Sequence, residues 1–114
     1  MGCIKQAFEP VMKQNLRGGD GEAKFFASPL PQEGACVQTA ARIELAPGAS
    51  IGFHKHEDDE EVYAIVSGEG TYFYDGGEAP ARSGDIFTTL QGMSHGLRND
   101  GASPLVLFAV VAKR

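Results

Sequence analysis

The chain has three histidines, and all of them lie in two short segments together with a run of carboxylates. One residue separates His54 from His56, so on a β-strand both side chains leave the same face, about 6.6 Å apart along the strand. Glu61 can add a carboxylate from the neighbouring strand, and His95 comes from a distant segment. Imidazoles with one carboxylate suit Mn, Fe, Ni, Co, Cu or Zn, whereas Ca and Mg prefer oxygen ligands. These residue types indicate a transition-metal site, although a histidine taken alone is more often satisfied by a hydrogen bond.

The pattern around these residues predicts short β-strands. Residues 37–45 alternate apolar and polar side chains with a period of two, as in a half-buried strand. Turn-forming residues recur at short intervals after that segment, and residues 50–111 nowhere repeat apolar side chains at helical spacing over three turns. We therefore expect an all-β fold. The further predicted strands are residues 51–56, 61–66, 71–74, 85–89, 95–98 and 105–111.

Length and composition restrict the class of protein. A chain of 114 residues fits one domain, and 15 glycines with 6 prolines favour many short elements joined by tight turns. The net charge of -5 disfavours tight binding to nucleic acid. Cys3 and Cys36 lack a C-x-x-C spacing and indicate free thiols in a reducing compartment. Because no long apolar run or secretory signal is evident, we expect a cytoplasmic protein without a membrane partner.

The histidine pair and the carboxylate stand at a distinctive spacing from two glycines. Gly48 precedes His54 by five intervening residues, and His56 follows after one lysine. Four residues then separate His56 from Glu61, and six more separate Glu61 from Gly68.

A second spaced segment surrounds the third histidine. Seven residues separate Gly84 from Gly92, two more separate Gly92 from His95, and three more precede Asn99. Together the two segments resemble the two sequence motifs of the cupin superfamily, and in particular its small single-domain members described as oxalate decarboxylase-like. The one departure is Leu90, which stands where the second motif usually has proline.

The resemblance implies a double-stranded β-helix, or jelly-roll barrel, of short antiparallel strands over residues 36–114. Residues 1–35 would then form an N-terminal arm that packs on the barrel or on a partner chain, and a homodimer is expected because family members commonly pair. The resemblance also implies one divalent metal per chain. Glu60 is the alternative carboxylate, because some cupins place three residues before the acid. The implied ligands are His54, His56, Glu61 and His95.

The resemblance implies two classes of function. The first is a metalloenzyme that acts on a small oxygen-rich acid or enol, as oxalate decarboxylases, oxalate oxidases and dioxygenases do. Manganese is the first choice of metal, with Fe, Ni, Zn, Co or Cu as alternatives. The second is a non-catalytic protein that binds or senses a small molecule, and a purely structural metal is a third interpretation.

Strand alternation predicts that the pocket is also lined by Gly52, Tyr63, Ile65, Met93 and Leu97.

Overall fold

The computed structural model describes residues 2–6 and 9–114, and its regular structure is almost entirely β-strand. A short 3₁₀ turn, Leu16–Gly18, separates the first two strands. In chain order the strands are β1 (Val11–Gln14), β2 (Glu22–Ala27), β3 (Val37–Leu45), β4 (Ser50–Lys55), β5 (Asp59–Ser67), β6 (Glu69–Tyr74), β7 (Gly77–Arg82), β8 (Ile86–Thr89), β9 (Ser94–Asn99) and β10 (Leu105–Lys113).

Antiparallel pairing arranges these strands into two sheets. The larger sheet has the order β1-β2-β3-β10-β5-β8, and the smaller one has the order β4-β9-β6-β7. Leu45 and Leu107 from the larger sheet and Leu97 from the smaller sheet belong to one hydrophobic core, and all three are fully buried. Burial of each such leucine contributes roughly 2 kcal/mol. The shared core holds the inner faces of the two sheets against each other and keeps the site between them in place.

The structure confirms the predicted all-β fold. Each of the seven predicted strands has a counterpart whose ends differ by no more than two residues. Three strands were not predicted: β1 and β2 in the N-terminal segment, and β7. β7 contains Gly77 and Pro80, which normally argue against a strand. Because β7 lies at the edge of the smaller sheet, Pro80 is tolerated there. No helix in the described part of the chain is long and apolar enough to cross a membrane.

Residues 11–27 continue the larger sheet beyond β3. β2 pairs with β3 from Ala23 opposite Leu45 to Ala27 opposite Ala41, and Ala23 is buried in the core. β1 pairs only with β2 among the described strands, and all four of its residues are exposed. The 3₁₀ turn between β1 and β2 packs against β4, the strand that carries the first histidine of the pair.

Candidate metal centre

Three strands bring the four predicted ligands to one place. His54 lies in β4 opposite His95 in β9, His56 follows directly after β4, and Glu61 lies in β5. One potential ligand atom from each of the four residues lies within 4.8 Å of the others. The two segments that carry the histidines, far apart in the sequence, therefore form a single cluster between the sheets.

The donor atoms of this cluster approach one another closely. The His95 Nε2 and His56 Nε2 atoms lie 3.0 Å and 3.2 Å from Glu61 Oε1. The two Nε2 atoms are 2.9 Å apart. His56, Glu61 and His95 are buried, whereas His54 is partly exposed at the wall of a cavity.

In the rings of His54 and His56, the Nδ1 atom has its own hydrogen-bond partner. His54 Nδ1 donates to the Gly52 carbonyl at 2.6 Å, and His56 Nδ1 donates to Asp59 Oδ1 at 2.6 Å. We assign the Nδ1–H tautomer to both rings because a carbonyl and a carboxylate only accept hydrogen bonds. In the neutral rings both Nε2 lone pairs are then free to bind a metal.

Two hydroxyl groups hold the third ring. His95 Nδ1 lies 2.8 Å from Thr89 Oγ1 and 3.0 Å from the Tyr72 hydroxyl, and all three side chains are buried. Partners of this kind fix the ring orientation of metal-binding histidines in proteins.

The chemistry of the donor set fits a divalent transition metal. Imidazole lone pairs and a buried carboxylate oxygen converge within hydrogen-bond distance, and no cationic side chain is among these donor groups. A group of acceptors held this close is stabilised by a cation, because a buried carboxylate without one costs several kcal/mol. Three imidazole nitrogens and one oxygen form a ligand set for transition metals rather than for Ca or Mg.

Burial changes the acid–base properties of two groups in the site. It lowers the pKa of His54 below its usual 6.5, and the positive charge of Arg17 acts in the same direction. Burial, with the Glu61 carboxylate as a further cause, raises the pKa of Tyr63 well above its usual 10. The Tyr63 ring stacks on the His95 ring, with centroids 4.7 Å apart. Tyr63 therefore stays protonated at neutral pH.

The two candidate carboxylates of β5 occupy different environments. Glu61 is 7% exposed and lies in the cluster. Glu60 Oε2 instead lies 3.2 Å from Nη1 of Arg114, with its side chain 29% exposed. Alternation along β5 places neighbouring side chains on opposite faces, so Glu61 is the carboxylate that the structure brings to the histidines.

A tight turn connects β8 to β9 and pairs with the backbone of His56. Gly92 has a φ of 88°, a conformation that favours glycine, and its N–H donates to the His56 carbonyl at 2.7 Å. The His56 N–H donates in return to the Met93 carbonyl at 3.0 Å. Leu90, in the usual proline position, uses its N–H to donate to the Met93 sulfur. These bonds hold the turn between two ligand-bearing segments.

A cavity of about 320 Å³ opens on the cluster. Apolar side chains of Phe25, Ile43 and Ile51 form part of its wall, beside the metal-ligand candidates. Four charged side chains also line it, two basic and two acidic. These are Lys13, Arg17, Asp59 and Glu61.

Only one of the five predicted pocket residues lines this cavity. Tyr63 does, whereas Ile65 and Leu97 lie in the hydrophobic core. Gly52 lies against the backbone of the 3₁₀ turn, and Met93 is 45% exposed beside a separate cavity. Strand alternation does not extend to either of these two positions, because the β4–β9 register shifts between Ile51 and His54, and Met93 precedes β9.

Sequence reasoning missed three charged residues of the cavity. Asp59 belongs to the run of carboxylates that follows His56, and its side chain holds the His56 ring. Lys13 and Arg17 belong to the N-terminal segment, whose conformation the residue pattern leaves open. The i, i+3 spacing of Asp59 from His56 was the only local signal for any of them.

The fold and the site together define a double-stranded β-helix protein with a candidate centre of three histidines and one glutamate. The cupin domain family matches residues 41–111, a segment that contains all four candidate ligands. The chain belongs to this family, as its motifs predicted.

Several known proteins are similar to this chain. An oxalate-binding protein of Thermotoga maritima is 38% identical over 104 residues, which are 90% of this chain and 85% of the relative. Germin-like protein 5-1 of Oryza sativa subsp. japonica is 32% identical over 84 residues, 67% of this chain but only 36% of that protein. A crystal structure from Thermotoga maritima, described as a predicted oxalate decarboxylase, has a TM-score of 0.90 at 34% identity and covers 99% of this chain and 100% of that one.

Proposed function

We propose that this protein binds one divalent transition metal at the histidine–glutamate cluster and uses it to bind a small oxygen-rich acid, with oxalate as the first candidate. The observation that carries the proposal is the convergence of four ligand atoms within 4.8 Å at the wall of a 320 Å³ cavity. Ligand cavities in proteins span roughly 300 to 1,000 Å³, so this one suits a small molecule. The similarity to an oxalate-binding protein supports the same class of ligand.

Manganese is our first choice of metal, with Fe, Ni, Zn, Co or Cu as alternatives. The nitrogen-rich ligand set suits all of them, and the metal loaded in a cell depends on supply as well as affinity. A metal held here supplies a Lewis acid that polarises carboxylate oxygens. His54, His56, Glu61 and His95 would hold it, and Asp59 would keep the His56 ring in the binding tautomer.

We propose further that the bound acid is turned over, in a reaction of the oxalate decarboxylase, oxalate oxidase or dioxygenase type. The opening of the cluster onto the cavity supports this role, because a substrate can reach the ligands. The second candidate is non-catalytic binding or sensing of the same acid. It is favoured by the state of two cavity groups: Asp59 is engaged with His56, and the pKa of Tyr63 is raised well above 10. The Asp59 carboxylate is thus already occupied by a hydrogen bond, and the Tyr63 hydroxyl keeps its proton near neutral pH.

Metal analysis and ligand binding on the same preparation test the proposal. Protein purified without a polyhistidine tag is analysed for bound metals, reloaded with Mn²⁺, and titrated calorimetrically with oxalate. Product formation and dioxygen uptake are followed in parallel. We expect about one metal per chain, oxalate binding that requires the metal, and loss of both in His95→Ala. Metal without oxalate binding would refute the proposed ligand, and metal-dependent oxalate binding without turnover would select the non-catalytic role.

We also propose a homodimer. The outer face of the larger sheet exposes apolar side chains on adjacent strands, among them Val62, Ile86, Phe108 and Val110. A groove of about 360 Å³ lies on this face beside Phe108. Exposed apolar surface of this kind is typical of protein interfaces. Light scattering after size-exclusion chromatography tests the pairing, and a monomer at high concentration would refute it. A cytoplasmic location stays a prediction.

A further inference from the structure

The turn between β1 and β2, which we call the Arg17 turn (residues 15–19), has an unusual backbone. Asn15 and Arg17 both have a φ of 53°, in the left-handed region that non-glycine residues rarely adopt. Residues in this conformation are strained and persist where surrounding contacts hold them. Here the Asn15 N–H donates to the Gly21 carbonyl at 2.9 Å, and the Gly19 N–H donates to the Leu16 carbonyl at 2.8 Å.

The Arg17 turn is also seated directly on the strand that carries His54. A Cβ atom added at Gly52 would lie 2.2 Å from the Arg17 carbonyl oxygen. A Cβ atom added at Gly19 would lie 2.3 Å from the Ser50 carbonyl oxygen. The two backbones thus meet at a distance that only paired glycines permit. This seating places the Arg17 side chain at the wall of the metal cavity.

The charges around the cavity define the kind of ligand that it can neutralise. Lys13 and Arg17 balance Asp59 and Glu61, and the histidines stay neutral when they bind a metal. A divalent ion then leaves two uncompensated positive charges in the cavity. A ligand with two negative charges restores neutrality, whereas a monocarboxylate neutralises only half of the excess.

The two basic side chains have different freedom to bind such a ligand. The Lys13 ammonium lies 4.2 Å from the centre of the Phe25 ring, in a cation–π contact that holds it at the rim. Arg17 carries a planar guanidinium whose N–H groups match both oxygens of a carboxylate.

We propose that Arg17 is a specificity-determining residue, which binds a carboxylate of the ligand and makes the cavity selective for dicarboxylate dianions over monocarboxylates. This inference rests on the proposed function, since it names the recognition group for an acid bound at the same centre. Lys13 contributes positive charge, and Arg17 contributes the directed hydrogen bonds.

Calorimetric titration of the Mn²⁺-loaded protein with oxalate and with acetate tests the inference. Arg17→Gln removes the positive charge and the planar guanidinium with its paired N–H donors. Arg82→Gln is the matched control, since Arg82 is exposed on β7 and does not line the cavity. For Arg17→Gln we expect oxalate affinity to fall about tenfold or more, acetate affinity to change less, and bound metal to stay near one per chain. The oxalate affinity of Arg17→Lys should lie between those of the wild type and Arg17→Gln, because lysine keeps the charge but lacks the paired N–H donors of the guanidinium.

A second variant tests the seating of the turn without changing any charge. Gly19 has a φ of -79° and a ψ of -162°, which any residue adopts, so Gly19→Ala perturbs the turn only through the clash with Ser50. We expect it to lower the preference for oxalate over acetate as Arg17→Gln does, with bound metal unchanged.

The failure of this inference is distinguishable from the failure of the proposed function. If the wild-type protein does not bind oxalate, the proposed function is wrong and the inference falls with it. If the wild type binds oxalate but Arg17→Gln keeps the oxalate affinity and selectivity of Arg82→Gln, the function stands and the inference about Arg17 is overturned. Equal loss of oxalate and acetate affinity in Arg17→Gln would also overturn the claim of dianion selectivity.

Discussion

We expect Asp59 to control how His56 presents its Nε2 lone pair to a metal. Asp59 Oδ1 lies 2.6 Å from His56 Nδ1, and the His56 side chain is 5% exposed. Replacing Asp59 by Ala removes this acceptor from a buried ring. The ring then loses its orienting hydrogen bond and is free to adopt the tautomer that carries the proton on Nε2, which has no lone pair for a metal.

The size of the expected loss follows from the role of this contact. Removing the hydrogen-bond partner of a metal-binding histidine typically lowers metal affinity by about 10- to 100-fold. We expect this range for Asp59→Ala, and a smaller loss for Asp59→Asn, which keeps an acceptor oxygen but loses the charge. Asp58 provides the matched control, because it is exposed, lies next to Asp59 and carries the same charge. Asp58→Ala should change affinity by no more than about twofold, as expected for a solvated charge.

The assay is a competition between each variant and a chelating dye for Mn²⁺ or Zn²⁺, after the protein has been stripped of metal. Circular dichroism checks that each variant keeps its β spectrum. Comparison of Asp59→Ala with Asp58→Ala isolates the hydrogen bond, because both lose one negative charge from the same acidic run. Equal metal affinities in these two variants would refute the assignment of Asp59 as the residue that orients His56.

Three further predictions concern the ligands themselves. His56→Ala should lose most of its bound metal while its β spectrum is nearly unchanged, and a globally unfolded variant would favour a structural metal instead. Glu61→Gln should weaken metal binding while Glu60→Gln does not, and the reverse order in a metal titration would show that the carboxylate is misassigned. Burial lowers the pKa of His54 in the folded protein. As the pH falls below about 6.5, the unfolded chain therefore binds a proton at this residue before the folded protein does. The metal-free protein should therefore lose stability in this pH range, by an amount that solvent screening of the partly exposed ring reduces, and an equal loss in His54→Gln would contradict this.

The ligand cluster was predictable because its geometry depends on short-range features of the sequence. The His54–His56 spacing and the turn at Gly92 are local features of the sequence. The segments that contain them meet at the site. Glu61 required only the choice between two adjacent carboxylates, which alternation along β5 decides. Part of the core was predictable from the sequence as well, because the alternation of apolar and polar residues in β3 marks the side chains that are buried.

The rest of the cavity could not be read from local patterns. The close contact of Gly19 and Gly52 joins positions far apart in the chain, and no spacing rule connects them. The left-handed conformation of Arg17 is equally hidden, because arginine carries no signal for a positive φ. A register shift in β4 also breaks the alternation that predicted Gly52 as a lining residue.

These two kinds of information correspond to two separable parts of the site. The candidate ligands lie on or beside strands held by the shared core of the two sheets, whereas Lys13 and Arg17 come from the exposed edge strand β1 and the turn that follows it. A change in the hairpin can alter the charge and shape of the cavity without moving the strands that carry His95 and Glu61. If the proposed metal centre binds acids, substitutions in residues 11–19 should change which acid it binds while the four candidate metal ligands stay in place. We therefore expect differences in bound acid among similar barrels to trace to that segment first.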